Sequence, residues 1–350
     1  MDFDYLIIGQ GIAGSALSWF LDKAGKKVAV IDNPKKTYRI AGGTYNPVVF
    51  KRMIKSWNVD VILPFALETY REIGQTFHTQ PLLETPVLRV FPNENERKLW
   101  ERQRESGGME NYLSEEILEN PYSGFINGES GASLVKHSGA ISLREVCNPL
   151  REYFQEKQAY FQEDFHFNDL EIFDNGIKWK HITAEKIIFC EGHLGVNNPW
   201  FDWLPLEETK GEILIVEIPG FESEYILKRS CSIIPLGGNL FKVGATFDWD
   251  DTTEIPTEKG RTELIQKLEK FLKAPYKIVD QEAGLRPTVR DRRPLIGLHP
   301  QNSNIGIFNG MGTKGIMLAP WFAQHFTEHV LEGKPLKKEV DIQRFWVKKT

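Results

Sequence analysis

The sequence predicts an α/β protein with two lobes, and three features of its pattern lead to that prediction. The first thirty residues read as strand, glycine-rich turn, helix and strand. Helical and buried-strand patterns return near 142–192 and 305–330, whereas 211–247 shows short alternating runs that are typical of antiparallel strands. We therefore expect a discontinuous Rossmann-type lobe from 1–80, 138–205 and 284–346, and a mixed, antiparallel-rich lobe from 81–137 and 206–283.

Composition and charge indicate an ordinary globular protein and argue against some partners. The chain has 350 residues, of which 41% are hydrophobic and 26% charged, so it can bury a substantial core. Its net charge of −5 gives no general attraction to nucleic acid or to anionic lipid. We expect neither nucleic acid nor a membrane to be a partner.

The cysteines and the N-terminus predict a cytoplasmic location. Cys147, Cys190 and Cys231 are far apart and form no CxxC pair, which argues against disulfides and against a metal site. The N-terminus MDFDYLII carries acids where a signal peptide carries basic residues. No run approaches the ~20 apolar residues of a membrane helix.

The N-terminal segment DYLIIGQGIAGSALSWFLDKAGKKVAVID predicts a complete βαβ unit. Tyr5–Ile8 is the first strand, Ser15–Ala24 the helix and Val28–Ile31 the second strand. Between strand and helix lies the glycine turn, which includes Ile12 and Ala13.

The spacing of the glycines in this turn indicates a dinucleotide-binding site. Gly9 permits a tight turn, Gly11 lets the backbone approach a pyrophosphate, and Gly14 lets the helix pack on the strand. The pyrophosphate would accept hydrogen bonds at the positive end of the helix. Asp32, at the end of the second strand, would bind the adenosine ribose. The motif alone leaves NAD and FAD both open.

Further elements follow in order along the chain. Gly42-Gly43 and Asn46-Pro47 predict a tight loop, not a strand, and 82–131 shows little pattern beyond one strand. The other predicted elements are a helix opened by Pro64, a strand at 87–90, a helix capped by Ser142, strands at 184–192 and 211–218, a hairpin at 232–247, a helix at 262–272, a strand at 305–310 and a helix at 316–330.

Seven motifs in order resemble the FAD-dependent amine and amino-acid oxidoreductases of the D-amino-acid oxidase superfamily. They are GQGIAG with Asp32, AGGTYNP, HSGAIS, IIFCEG, IIPLGGNLFKVGAT, GLRPTVRDRRPLIG and NGMGTKGI. The resemblance implies oxidation of the C–N bond of a small amine or amino acid by hydride transfer to the flavin, giving an imine. Dioxygen or another acceptor would reoxidise the flavin. Further cofactor-binding residues implied in this way are Gly42, Gly43, Gly192, Gly310, Gly312, Thr313, Lys314 and Gly315.

The same resemblance implies that FAD is bound non-covalently. Met311 stands where sarcosine oxidases have a histidine, and no cysteine lies near it in the sequence to tether a flavin.

The resemblance also implies two residues that bind the substrate carboxylate. Arg286 matches the arginine of the GxRP motif, and Lys314 matches a lysine of sarcosine oxidases. The presence of both Arg286 and Lys314 suggests a substrate with more than one acidic group. The alternatives are a structural salt bridge for Arg286 and an ordinary solvated lysine for Lys314.

Lys242 is the third candidate catalytic residue. Leu240, Lys242 and Gly244 would share one face of a strand. The resemblance associates Lys242 with oxygen activation, and the alternative is a lysine on the solvent side of an edge strand. We expect Thr246 to be structural and Asp291 to hold its loop.

Two other functions remain open. An NAD-dependent dehydrogenase would use the same first βαβ unit but would leave NGMGTKG and GLRP unexplained. AGGTYNPVV resembles the oxidase half of the bifunctional enzyme that modifies wobble uridine in tRNA, although the acidic balance weighs against a tRNA-associated protein.

Overall fold

The computed structural model describes residues 2–33 and 43–346. In these residues six α-helices are found, which we number in chain order: α1 (Ile12–Lys23), α2 (Val59–Phe77), α3 (Glu94–Ser106), α4 (Leu143–Glu156), α5 (Glu258–Glu269) and α6 (Gly315–Glu332). Short 3-10 helices follow two of the strands, at Gly192–Asn197 and Gly312–Lys314.

The strands of the described residues are β1 (Asp2–Ile8), β2 (Val28–Ile31), β3 (Thr44–Tyr45), β4 (Val48–Val49), β5 (Ile54–Lys55), β6 (Leu82–Leu83), β7 (Val87–Val90), β8 (Ala132–Val135), β9 (Gly139–Ile141), β10 (Tyr160–Phe161), β11 (Leu170–Phe173), β12 (Gly176–Trp179), β13 (Ile182–Phe189), β14 (Leu206–Glu217), β15 (Ile226–Lys228), β16 (Ser232–Gly237), β17 (Leu240–Gly244), β18 (Lys277–Val289), β19 (Leu295–His299) and β20 (Asn302–Asn309).

The first large sheet has a parallel centre, as the βαβ pattern predicts. β1 lies between β2 and β13 and is parallel to both, and β20 is parallel to β13. The carboxyl ends of these strands therefore meet at one edge, where Ile8 pairs with both Ile31 and Phe189. That edge is where open α/β sheets bind nucleotides.

Helices cover one face of this sheet. α1 packs against α6 and α4, and α2 packs against the same two helices. β1 and β2 alternate their fully buried side chains between this helical face and an aromatic-rich core on the other face, around Trp179 and Phe189.

The second large sheet is mostly antiparallel, in the order β18-β14-β17-β16-β15-β7-β8. The predicted hairpin at 232–247 is confirmed as β16 and β17. One face of this sheet packs on α5 and its core, and the other face borders the cavity described below. The fold class is mixed α/β, as predicted. The lobe boundaries stay a prediction, and β18 runs continuously through the boundary that was expected at residue 284.

Two sequence predictions in this fold are wrong, and one helix was missed. The helix expected to open at Pro64 begins at Val59, because burial of Val59, Ile62 and Leu63 extends the apolar face beyond the proline. Thr44–Tyr45, expected in a loop, forms β3 and pairs with β9. Residues 82–131 contain α3, which is charged nearly all round and buries only Trp100.

Helix ends also differ from the prediction, by up to four residues. α1 begins at Ile12 instead of Ser15, and α5 begins at Glu258 instead of Thr262. The serine cap of α4 is confirmed, since the Ser142 side chain accepts a hydrogen bond from the Glu145 N–H.

In the described ranges, no helix combines the length and the apolar character that are needed to cross a bilayer.

Candidate active site

A cavity of about 610 Å³ lies between the parallel edge of the first sheet and one face of the second. Its volume is in the range of pockets that hold a large ligand. It brings together most of the residues singled out in the sequence: Gly9, Gly11, Ile12, Ala13, Asp32, Gly43, Gly192, Lys242, Arg286, Gly312, Thr313 and Gly315. Gly14, Gly310 and Lys314 do not line it, and Gly42 lies outside the described residues.

The glycine turn has the geometry that a pyrophosphate site requires. Gly9 has a φ of +92°, and a Cβ there would lie 2.7 Å from the Cys190 carbonyl oxygen. A Cβ on Gly14 would lie 1.8 Å from the Gly9 carbonyl oxygen. At Gly11, by contrast, a Cβ would meet no atom within 4 Å, so its backbone faces open space at the start of α1.

Asp32 and Gln10 form the adjoining wall of the cavity. The Gln10 N–H donates to the Asp32 carboxylate at 2.9 Å, and Arg151 lies 3.6 Å from the other carboxylate oxygen. The Gln10 side chain is 1% exposed, and neither of its amide atoms has a hydrogen-bond partner among the described residues. A buried, unpaired amide is costly unless a ligand completes its hydrogen bonds. The open glycine, the acid and this amide fit the adenosine diphosphate part of FAD.

The 3-10 helix at Gly312–Lys314 and the first turn of α6 contribute another side of the cavity. Gly312, with a φ of +54°, and Gly315 line the cavity, which therefore receives the positive end of α6. The Lys314 side chain turns away and donates to the Ser56 hydroxyl. Burial lowers the pKa of Lys314 to about 8.

Arg286 projects from β18 into the cavity. Its guanidinium donates to the main-chain carbonyls of Lys210, at 3.2 Å, and Thr246, at 3.4 Å. It forms no ion pair within the described part of the chain, so the alternative of a structural salt bridge is not observed. Burial lowers its pKa. Its central carbon also lies 5.5 Å from the centre of the Phe247 ring. A buried cation that contacts only neutral groups in the described residues is suited to binding an anion.

The other arginines of this loop lie outside the cavity. Arg290 pairs with Glu207 at 2.5 Å on the surface, and the guanidinium of Arg293 stacks over the Trp57 ring at 4.2 Å. Asp291 holds the loop, as expected, by accepting hydrogen bonds from the Arg293 N–H and the Arg344 side chain.

Lys242 lies on β17 and lines the cavity together with Gly244, so the predicted face is confirmed. β17 lies between β14 and β16, which makes the alternative of an edge strand wrong. Burial lowers the pKa of Lys242, and the carboxylate of Glu282 partly opposes that effect. Thr246 is structural, as expected, since its hydroxyl accepts from the Glu212 N–H at 2.8 Å.

Sequence reasoning missed several residues of the cavity. Gln10 and Glu191 occupy positions next to motif glycines, where the motif itself prescribes no residue type. Burial raises the pKa of Glu191 to about 7, although Asn198 donates a hydrogen bond to it at 2.8 Å. Gly211 and Lys228 could have been found from the sequence. A glycine in an apolar strand indicates close approach of another group to the backbone, and a lysine in an apolar strand indicates a polar face.

Residues 4–329 match the model of one protein family, described as "DAO: FAD dependent oxidoreductase". Among curated proteins, the chain is 25% identical over 367 residues to a glycine oxidase of Bacillus licheniformis, covering 96% of this chain and 95% of that protein. It is 22% identical over 364 residues to the tRNA 5-methylaminomethyl-2-thiouridine biosynthesis bifunctional protein of Marinobacter nauticus. That match covers 93% of this chain but 55% of the bifunctional protein.

Solved structures show the same fold. Glycine oxidase from Bacillus cereus ATCC 14579 superimposes with a TM-score of 0.77 at 18% identity, covering 95% of this chain and 96% of that one. Iminodiacetate oxidase from Chelativorans sp. BNC1 superimposes with a TM-score of 0.76 at 20% identity, covering 97% and 98%.

Proposed function

Since this chain belongs to the DAO family of FAD-dependent oxidoreductases, we propose that it oxidises the C–N bond of a small amine or amino acid to an imine. Glycine oxidases, which the chain resembles over nearly its whole length, support this substrate class. The family assignment also decides the cofactor that the first βαβ unit left open: it is FAD, and the NAD-dependent alternative is wrong.

The observation that carries the proposal is the position of Arg286. Its guanidinium lines the cavity and is largely buried, and it contacts main-chain carbonyls and the Phe247 ring but no carboxylate among the described residues. A carboxylate bound there through two parallel hydrogen bonds would be fixed in orientation, which places the substrate Cα and amine reproducibly.

The chain would hold FAD by residues on two sides of the cavity. Gly11 and the start of α1 would bind the pyrophosphate, and Asp32 the adenosine ribose. Gly312 and the positive end of α6 would stabilise negative charge near the redox centre. When bound, FAD supplies the hydride acceptor.

The two lysine candidates have different proposed roles. Lys242 faces the cavity and would supply positive charge for reaction with dioxygen or another acceptor. The ammonium group of Lys314 donates to Ser56, and Lys314 does not line the cavity, whereas its neighbours Thr313 and Gly315 do; Lys314 would act on the site through their backbone. A direct contact between Lys314 and the substrate carboxylate remains a prediction.

Replacing Arg286 tests the proposal. Anaerobic flavin bleaching by glycine, N-methylglycine and D-amino acids first shows whether such amines reduce the cofactor. For a substrate found in this way, we expect Arg286→Ala to raise KM about a hundredfold, because two charge-assisted hydrogen bonds are lost. The KM of Arg286→Lys should lie between the KM of Arg286→Ala and that of the wild type.

Arg290→Ala is the matched control, because it removes an arginine of the same loop that is exposed and outside the cavity. Its KM should equal that of the wild type. An unchanged KM in Arg286→Ala would remove Arg286 from the site, and failure of every amine to bleach the flavin would refute the proposed reaction.

A further inference from the structure

Besides Arg286 and Lys242, the cavity contains a third buried cation, Lys228, which no motif predicted. Lys228 ends β15, and it pairs with Ser232, which in turn pairs with Gly244. Paired residues of antiparallel strands share a face, so Lys228 projects from the same face as Gly244 and Lys242. All three residues line the cavity.

Lys228 is held by a neutral group. Its ammonium group donates to the Ser232 hydroxyl at 2.8 Å and forms no ion pair with any carboxylate in residues 2–33 and 43–346. Two other buried cations of this sheet are neutralised: Arg89 binds Glu96 through two bonds of 2.6 and 2.8 Å, and Lys210 binds Asp251 at 2.6 Å. The contrast matters because an uncompensated buried charge is costly.

Positive charge therefore accumulates on the cavity face of the second sheet. Burial lowers the pKa of Lys228 and of Arg286, and neither cation has a carboxylate partner among the described residues. Lys242, on the same face, interacts with the Glu282 carboxylate. One substrate carboxylate at Arg286 would satisfy only one of these cations. An anion bound beside Lys228 would stabilise its charged form.

The sheet topology sets the separation of the two anion sites. Arg286 lies on β18 and Lys228 on β15, with β14, β17 and β16 between them. The row of paired residues that starts at Lys228 reaches β18 at Glu282, four residues before Arg286. Four inter-strand spacings of about 19 Å in total and an offset of about 13 Å along the strands separate the two backbones by about 23 Å, which the two long side chains shorten from both ends. A group bound at Lys228 must therefore lie several bonds from a carboxylate bound at Arg286.

We propose that Lys228 binds a second carboxylate of the substrate, so that the enzyme prefers amines or amino acids that carry an acid at each end. The inference rests on the proposed function for the site at Arg286. It changes the substrate class from small neutral-tailed amino acids to dicarboxylates.

The test is equilibrium binding to the oxidised FAD holoenzyme, measured by the change in flavin absorbance. The ligands are the dicarboxylates from succinate to suberate and the monocarboxylates of the same lengths, from butanoate to octanoate. These acids are not oxidised, so the measurement is independent of turnover. In the wild type we expect the best dicarboxylate to bind at least about tenfold more tightly than its monocarboxylate partner.

Lys228→Met should abolish this preference while leaving monocarboxylate binding unchanged, and Lys228→Arg should retain it. Lys178→Met is the matched control, because it removes one partly exposed lysine from the other sheet, away from the cavity. The preference of Lys178→Met for dicarboxylates over monocarboxylates should equal that of the wild type.

Equal binding of both ligand series by the wild type, or equal loss of both in Lys228→Met, would overturn the inference. Either result would leave amine oxidation intact, since monocarboxylated amines would still bleach the flavin. If instead no amine bleaches the flavin but the dicarboxylate preference depends on Lys228, the proposed reaction fails and the second anion site stands.

Discussion

Gly211 lies on β14 directly beside the guanidinium of Arg286. A Cβ added there would lie 1.8 Å from one terminal nitrogen of Arg286 and 2.2 Å from its central carbon. The absence of a side chain at residue 211 therefore decides where the guanidinium lies. This is a contact between strands that are distant in sequence, so a glycine in a strand indicates a close approach at residue 211 but does not identify Arg286 as the neighbour.

We predict that Gly211→Ala moves the guanidinium of Arg286 and raises KM for carboxylated amines about tenfold, with little change in unfolding temperature. Steady-state kinetics and thermal unfolding measure the two effects. Gly124→Ala is the control, since a Cβ there would meet no atom within 4 Å. An unchanged KM in Gly211→Ala would show that the guanidinium tolerates displacement without functional loss.

At the scale of single elements, the N-terminus of α5 has an unusual anchor. The Thr257 side chain caps the helix by accepting from the Gly260 N–H at 3.0 Å. Its hydroxyl also donates to the buried Glu212 carboxylate at 2.6 Å, and the Thr257 N–H donates to the other oxygen at 2.8 Å. The cap therefore ties α5 to β14, the strand that carries Gly211.

We predict that Thr257→Ala costs about 2 kcal/mol of unfolding free energy, because the cap and one hydrogen bond to a buried carboxylate are both lost. Ser142→Ala, at the cap of α4, should cost about 1 kcal/mol, because that side chain has no buried carboxylate partner. Denaturant unfolding of both variants measures the difference. Equal costs would mean that the bond to Glu212 adds nothing to stability.

Elements with a clear hydrophobic pattern could be predicted from the sequence, and elements stabilised by contacts distant in sequence could not. β2 was predicted with its observed ends, because Val28–Ile31 is wholly apolar and bounded by polar residues. α3 was missed because its sequence, ENERKLWERQRES, has almost no apolar face; the insertion of Trp100 holds it against the sheet. The early start of α2 at Val59 depends on tertiary burial that outweighs the proline.

At the scale of the whole molecule, the cavity is the product of both sheets. The glycine turn, Asp32 and the 3-10 helix at Gly312 were predicted from motifs, because their chemistry needs fixed residue types. Gln10 and Glu191 were not, because the motifs prescribe no residue type at their positions, and the role of Lys228 depends on which strands become neighbours. Pairing of distant strands is the information that a single sequence carries least directly.

We predict that removal of FAD destabilises the protein without unfolding it. Binding at a thousandfold excess over Kd contributes about 4 kcal/mol, so apoprotein should unfold several degrees lower and recover on adding FAD. Acid precipitation should release the flavin into the supernatant, as expected for non-covalent binding. Flavin that remains in the precipitate would contradict that expectation, and identical unfolding temperatures would mean that FAD does not bind the folded state preferentially.

The packing of α1 against α6 has a consequence for biosynthesis. The Ile12 side chain lies beside Gly315, where an added Cβ would be 3.2 Å from it, and β20 completes the parallel centre of the first sheet. A ribosome must therefore translate about 300 residues beyond Ile12 before the glycine turn acquires its neighbour. Nascent chains that stall before β20 is translated should not bind FAD. Their α1 would lack α6 and would be exposed to chaperones.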